Sequence, residues 1–202
     1  MARIAATERR DALVRAALAV IARDGVHAAT TRAITAEAGM SLASFHYAVP
    51  SRDDLLRDVV ELVVGSQDVA AFGTLDLEAP DLRTAVRAVL GSYLDIVRAD
   101  PAREQAMFEL TQYALRTPAL AAFPEAQYRV YRGLARRLLE AGGERYDVAW
   151  DAPLDDLAAL VISLTDGATL AWLATRDDDA VERLLDVAAD AITAHAIPRE
   201  TP

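Results

Sequence analysis

Apolar positions in this chain recur at three- and four-residue spacing almost from end to end, and nowhere do they alternate over the length of a strand. Leu13, Ala16, Ala17, Val20 and Ile21 form the first stripe, the 3.6-residue period of an amphipathic helix over about 8–23. Asp24-Gly25 ends it with a C-terminal glycine. Thr30 or Thr31 can cap a short helix over 31–38, whose inward positions are Ile34 and Ala38. Gly39 makes a turn, Ser41 can cap a further helix over 42–47, and Pro50 stops it. Ser51-Arg52-Asp53-Asp54 reads as a capping box with Asp in the acceptor slot, opening a long helix over 52–72.

The remainder repeats the theme. Leu82, Ala85, Val86, Val89, Leu90, Tyr93, Ile96 and Val97 stripe a helix over 81–99. Asp100-Pro101 breaks it and starts another to about 116. Thr117-Pro118 breaks that in turn. A longer helix with Pro124 near its start runs to Ala141 and is expected to stop at Gly142-Gly143. After a loop over 143–152, a strongly apolar helix covers 154–174. Asp177, Asp178 and Asp179 then open a last helix, where acids suit the dipole; its stripe is Val181, Leu184, Leu185, Ala188 and Ile192. The expectation is an all-α chain of nine helices without strands: three short ones, a long connector and a bundle of five.

Composition narrows the chemistry. Cysteine is absent, which excludes disulfides and thiolate metal sites. His27, His46 and His195 stand far apart with no second His at ligand spacing, so no metal or other cofactor is expected. No Gly-rich phosphate loop, nucleophile elbow or Glu-x-x-His pair occurs, which argues against an enzyme. No unbroken apolar run approaches the ~20 residues of a membrane span. The N-terminus lacks the apolar region of a secretory signal. A cytoplasmic protein with no membrane partner is expected. The net charge of -10 is unevenly spread. Residues 1–52 hold seven arginines against four acids, +3; the rest holds fourteen against twenty-seven, -13. Such asymmetry points to nucleic acid contact at the basic end only.

That end, Thr30 to Arg52, has the layout of a helix-turn-helix: two short helices about a glycine turn, then a proline stop and a capped helix. Gly25, Thr30-Thr31-Arg32, Ala38-Gly39-Met40-Ser41, Phe45-His46-Tyr47 and Pro50-Ser51-Arg52 together resemble the DNA-binding domain of TetR-family transcriptional repressors. Helix number and length fit that family over the whole chain. The resemblance implies a nine-helix TetR-like architecture, with a DNA-binding domain over 1–52 and a regulatory and dimerisation domain over 53–202. Ile34, Ala38, Met40 and Phe45 can close a small core. This leaves Ser41, Leu42, Ala43, Ser44, His46 and Tyr47 as candidate DNA contacts on or near the recognition helix. Thr31 and Tyr47 look like phosphate contacts, and Arg32 can reach guanine bidentately. Arg52 matches the basic residue that the family sets on a phosphate. Leu42, Ala43, Ala48 and Val49 depart from common family residues, so no operator sequence is carried over.

A single helix-turn-helix covers too few base pairs to select a site, so a homodimer on a palindromic stretch of double-stranded DNA is expected. Candidate interface residues are Leu160, Leu164, Gly167, Ala171, Leu184, Leu185, Ala188 and Ile192, in a four-helix core. The resemblance further implies a small-molecule effector. Amphipathic side chains on apolar helix faces are the candidate pocket: Phe108, Thr111, Gln112, Tyr128, Tyr131, Asp166, Thr169 and Trp172. Their character favours an uncharged or aromatic ligand. The alternative is a helical protein-interaction module, or a small-molecule-binding bundle that reads no DNA.

Overall fold

A computed structural model describes residues 6–66 and 79–199. Nine α-helices occur among the described residues: α1 (Ala6–Asp24), α2 (Thr31–Glu37), α3 (Leu42–Ala48), α4 (Arg52–Ser66), α5 (Leu82–Ala99), α6 (Pro101–Ala114), α7 (Phe123–Arg145), α8 (Leu154–Thr175) and α9 (Asp178–Thr193). The expected helix over 52–72 is described to Ser66, and 67–72 lie outside the described residues. Two compact units form, one from residues 6–66 with 101–127, the other from 79–100 with 128–199. This division differs from one at residue 52, because α4 and α6 both pack on α1.

The first unit is built on α1. Leu13, Ala17, Val20 and Ile21 are fully or almost fully buried and meet Ile34 of α2, Phe45 of α3, Leu55, Leu56 and Val59 of α4, and Leu110 of α6 in one apolar cluster. Local signals set the ends of the short helices. Thr30 caps α2 by accepting from the Ala33 N–H at 3.2 Å, and Ser41 caps α3 by accepting from the Ser44 N–H at 3.2 Å. Ser51 accepts from the Asp54 N–H at 3.0 Å and donates its hydroxyl to the Asp54 carboxylate at 2.6 Å. Gly39 takes φ +62° between α2 and α3, in the left-handed region that non-glycine residues avoid. Thr30→Ala is expected to cost about 1 kcal/mol of unfolding free energy through the lost cap, read by urea denaturation of the full chain.

The second unit centres on Leu90, Leu94, Val97, Leu139, Leu157, Ala168, Trp172, Leu185, Ala189 and Ile192. Two expectations need correction here. Gly142-Gly143 do not end α7, which continues to Arg145. Instead, a Cβ on Gly143 would stand 3.0 Å from Trp150 Nε1, so the missing side chain admits Trp150, whose N–H donates to the Leu139 carbonyl at 3.1 Å. The supposed loop also holds a strand: β1 (Val148–Trp150) pairs antiparallel with β2 (Ala196–Pro198), Ala149 opposite Ile197. Three residues are too few to show a period of two.

Arginines of α5 meet acids of α9. Arg83 bonds Asp190 at 2.7 Å, Arg87 bonds Asp186 at 3.0 Å and also Glu182, and Arg98 bonds Glu182 and Asp178 at 2.8 Å. Arg98 and then Arg87 hold the Glu182 carboxyl below its usual value; Arg83 does so for Asp190. The Trp172 N–H, ahead of Arg98, does so for Asp178. Carboxylates depressed in the folded state stabilise above their unfolded pKa, about 4, and that contribution is lost as pH falls through the lowered folded values. Arg98→Ala should therefore raise the pH midpoint of acid unfolding, followed by circular dichroism, with the difference from the parent protein fading at the acid extreme.

Among the described residues, α8 alone matches a membrane span by length and composition, with 22 residues and a mean hydropathy of 1.6 in its most apolar stretch. The sequence pattern hid this because Thr165, Asp166 and Thr169 interrupt the apolar run. One side of α8, through Leu157, Ala158, Ala168 and Trp172, is spent on the second core.

Candidate functional site

On the first unit, α2 and α3 present a surface whose inner side is fixed and whose outer side is free. Phe45 is fully buried and Ile34 lies beneath α2, so the register of both helices is locked. The outward positions are then Arg32, Leu42, Ala43, His46 and Tyr47, all exposed, with Thr31 and Ser44 half-buried at the edge. The Arg32 guanidinium makes no hydrogen bond or ion pair with any described residue. Tyr47 is 69% exposed and its hydroxyl is likewise without a partner among the described residues. The Ser41 and Ser44 hydroxyls lie 2.9 Å apart, so both already belong to the α3 cap. His46 stacks edge-on against Phe45, with centroids 5.5 Å apart.

Of the arginines at the N-terminal end, read from the sequence either as an arm near the DNA backbone or as solvated charges, one stands beside this surface. The Arg9 guanidinium lies over the Tyr47 ring, 5.4 Å from its centroid, which adds a cation beside α3. Arg10 does not join it: its guanidinium forks onto Asp58 at 2.6 and 2.7 Å, tying α1 to α4.

Arg52 is placed differently from the phosphate contact that the family resemblance implies. Its Nε donates to the Ala29 carbonyl at 2.7 Å, Nη2 to the Val26 carbonyl at 2.6 Å and Nη1 to the Tyr113 hydroxyl at 2.8 Å. The guanidinium also lies over the Tyr113 ring. Glu109, one turn earlier on α6, accepts from the Val26 N–H at 3.0 Å. Gly25, at φ +86°, leaves room for that carboxylate: a Cβ there would meet it at 2.9 Å. The turn between α1 and α2 is thus held by Arg52, Glu109 and Tyr113. The last two carry no sequence signal, because long-range partners leave none.

The eight pocket candidates divide between the units. In the first, Thr111 donates to the Met107 carbonyl and the Gln127 side chain at 2.7 Å, Phe108 is half-buried and Gln112 is exposed. In the second, Trp172 donates its N–H to Asp178 at 2.9 Å under the Arg176 guanidinium, a structural bond that closes α8 onto α9. Thr169, fully buried, shares a 2.8 Å hydroxyl contact with Tyr93. Tyr128 donates to Asp166 at 2.6 Å, and the Tyr131 ring lies 5.9 Å from that of Tyr128. Burial raises the Asp166 carboxyl from its usual value against the pull of the Tyr128 bond; burial and then Asp166 push the Tyr128 phenol up. A separate cavity of about 50 Å³ in this unit is lined by Val86, Leu90, Leu139, Trp150, Val161 and Ile192 among others, and by none of the eight.

The proposed interface residues also divide. Leu185, Ala188 and Ile192 are buried in the core of their own unit, which corrects their assignment to a partner-facing surface. Gly167, Ala171 and Leu184 are exposed; Leu160 and Leu164 are half-buried. Leu170 at 52% and Val187 at 63% exposure lie on the same outer faces and were missed. Both helices carry two apolar stripes, and spacing does not say which faces inward.

Two family descriptions match successive stretches of the chain. The family description "Bacterial regulatory proteins, tetR family" matches residues 13–59, and "BetI-type transcriptional repressor, C-terminal" matches 82–196. The nicotine-responsive transcriptional repressor HdnoR of Paenarthrobacter nicotinovorans is 29% identical over 189 residues, covering 94% of this chain and 96% of its own. A transcriptional regulator from Rhodococcus sp. Rha1 superposes with a TM-score of 0.76 at 19% identity, over 96% of this chain and 99% of that one. A regulator from Saccharomonospora viridis in complex with choline gives 0.70 at 22% identity, over 96% and 100%.

Proposed function

We propose that this chain, which belongs to the TetR family of bacterial regulatory proteins, represses transcription by binding an inverted-repeat operator as a homodimer and releases it when a small molecule binds. As a family member it is a DNA-binding transcriptional regulator, not an enzyme. The observation that carries the DNA-reading surface is the Arg32 guanidinium and the Tyr47 hydroxyl, without partners among the described residues, on an outer face whose inner face is locked by Phe45. In this reading Arg32 contacts a base edge, and Thr31, Ser44, His46, Tyr47 and Arg9 contact the backbone. Leu42 and Ala43 offer apolar contact to a thymine methyl. Arg52 shapes the surface from behind. The site of action is the cytoplasm, where the DNA lies. Selection from random duplexes should return an inverted repeat with half-sites about one helical turn, or a multiple of it, apart; a single unrepeated half-site would refute the dimeric reading.

The dimer in this reading uses the outer stripes Gly167, Leu170, Ala171 and Ala174 of α8 and Leu184, Val187 and Ala191 of α9. Exposed leucine and valine at helical spacing favour a second helix pair over water. Leu170→Glu with Val187→Glu should convert a particle of twice 21.8 kDa into one of half that mass by light scattering, without loss of helix signal. An unchanged mass would remove this face from the interface. Effector control is supported by the nicotine-responsive relative and the choline-bound one. An effector acts here by binding the released state more tightly than the DNA-bound one.

A further inference from the structure

We infer that this chain selects its operator by the C5-methyl group of a pyrimidine in the major groove, so that thymine or 5-methylcytosine, but not uracil or unmodified cytosine, satisfies one fixed position in each half-site. This rests on the DNA-reading surface proposed above and names the chemical feature that α3 selects there. α3 has the sequence LASFHYA. It holds no amide, arginine, lysine or carboxylate, so none of its side chains can form the bidentate pairs that identify guanine or adenine, nor the carboxylate contact to cytosine. Phe45 is fully buried. The Ser41 and Ser44 hydroxyls lie 2.9 Å apart, and Ser41 also accepts from the Ser44 N–H at 3.2 Å, so both are drawn into the helix cap. The first turn of α3 is left with Leu42 and Ala43, both exposed. Leu42, at 43% exposure, stands outside both apolar cores.

A leucine on the water side of a reading helix has a narrow choice of partner. Base edges in the major groove carry donors and acceptors, and their only apolar group is the thymine methyl. Laid against any other edge, Leu42 would strip water from a donor or acceptor and return no hydrogen bond, which costs free energy. Against a methyl it buries apolar surface on both partners. Buried Phe45 fixes the phase of the helix, and Leu42, Ala43, His46 and Tyr47 share one face turned away from it. The apolar facet is thus continuous with the rest of the DNA-reading surface. 5-Methylcytosine carries the same methyl at the same ring position, where unmodified cytosine has only a hydrogen. The polar reading falls to Arg32 of α2, whose guanidinium has no partner among the described residues.

The test uses the full-length protein and the duplex that selection from random, thymine-containing DNA enriches. That duplex is resynthesised with deoxyuridine at each thymine in turn, which deletes one methyl and leaves every hydrogen-bonding group of the base pair in place. Fluorescence anisotropy should find a thymine in each half-site at which uracil weakens binding about fourfold, and about tenfold or more when both half-sites carry it, the scale of one buried methyl each. With a cytosine–guanine pair at that position, methylating the cytosine at C5 should strengthen binding by about the same fourfold. Leu42→Ala, a truncation at an exposed helical position, should keep the parent's circular dichroism and cut the uracil penalty to about twofold or less. Specific binding indifferent to uracil at every thymine, no gain from cytosine methylation, or an undiminished uracil penalty in Leu42→Ala would overturn the inference and leave the regulator reading standing. Failure of the selection to enrich any duplex would overturn both.

Discussion

Arg32→Ala is expected to weaken specific DNA binding by about 10- to 100-fold while leaving stability within about 0.5 kcal/mol. The guanidinium is exposed and makes no hydrogen bond or ion pair with any described residue, so little stability goes with it. A bidentate contact to guanine is worth about 1–3 kcal/mol of discrimination, and its loss also relaxes the base preference at one operator position. Tyr47→Phe should behave differently. It removes only a hydroxyl assigned to the backbone, so affinity falls by a similar factor for every sequence and specificity is kept. Tyr47→Ala also removes the ring on which Arg9 rests, and combined with Arg32→Ala should leave no specific complex. Fluorescence anisotropy against the selected operator and single-base variants separates these outcomes. A guanine preference that survives in Arg32→Ala would move base reading to another residue.

Arg52→Ala should cost about 2–4 kcal/mol of stability, the larger structural effect. Three donors serve the Ala29 and Val26 carbonyls and the Tyr113 hydroxyl oxygen, and the variant leaves these acceptors without their donors. Arg52→Lys should recover little of the loss, because a point-charge ammonium cannot span three acceptors arranged around a planar fork. DNA affinity should also fall, since the α1–α2 turn that carries Thr30 and Thr31 loosens. The salt dependence separates this from a phosphate contact. A positioning role leaves the slope of log K against log salt unchanged among folded molecules, whereas loss of a phosphate contact lowers it by about one. Urea unfolding and a salt series on the same variant suffice for both readings.

The sequence carried the fold wherever information was local. Capping residues at Thr30, Ser41 and Ser51, the glycine turn at Gly39 and the stripes of α1 and α5 set helix ends and inward faces, and the structure bears them out. It misled where one signal has two physical readings. A glycine pair both stops helices and admits a close neighbour, and at Gly142-Gly143 the neighbour, Trp150, decides. An arginine at a helix start both meets phosphate and bonds backbone carbonyls, and at Arg52 the carbonyls are in reach. An apolar stripe faces its own core or a partner equally well, so Leu185 and Ile192 share one expectation with Leu184 although a single residue, about 100° around the helix, separates buried Leu185 from exposed Leu184. Asp166 was legible as an unusual residue in an apolar helix. That its carboxylate accepts from the Tyr128 hydroxyl depends on a side chain far away in sequence, which no spacing reveals.

The central claim, that two copies read an operator through α2 and α3, is tested most directly by titrating duplex DNA from upstream of the coding region against the full chain at several salt concentrations. The account predicts two chains per duplex, affinity at least about a thousandfold above that for a scrambled duplex, and a binding constant that falls steeply with salt. Equal affinity for scrambled DNA, or one chain per duplex, would contradict it.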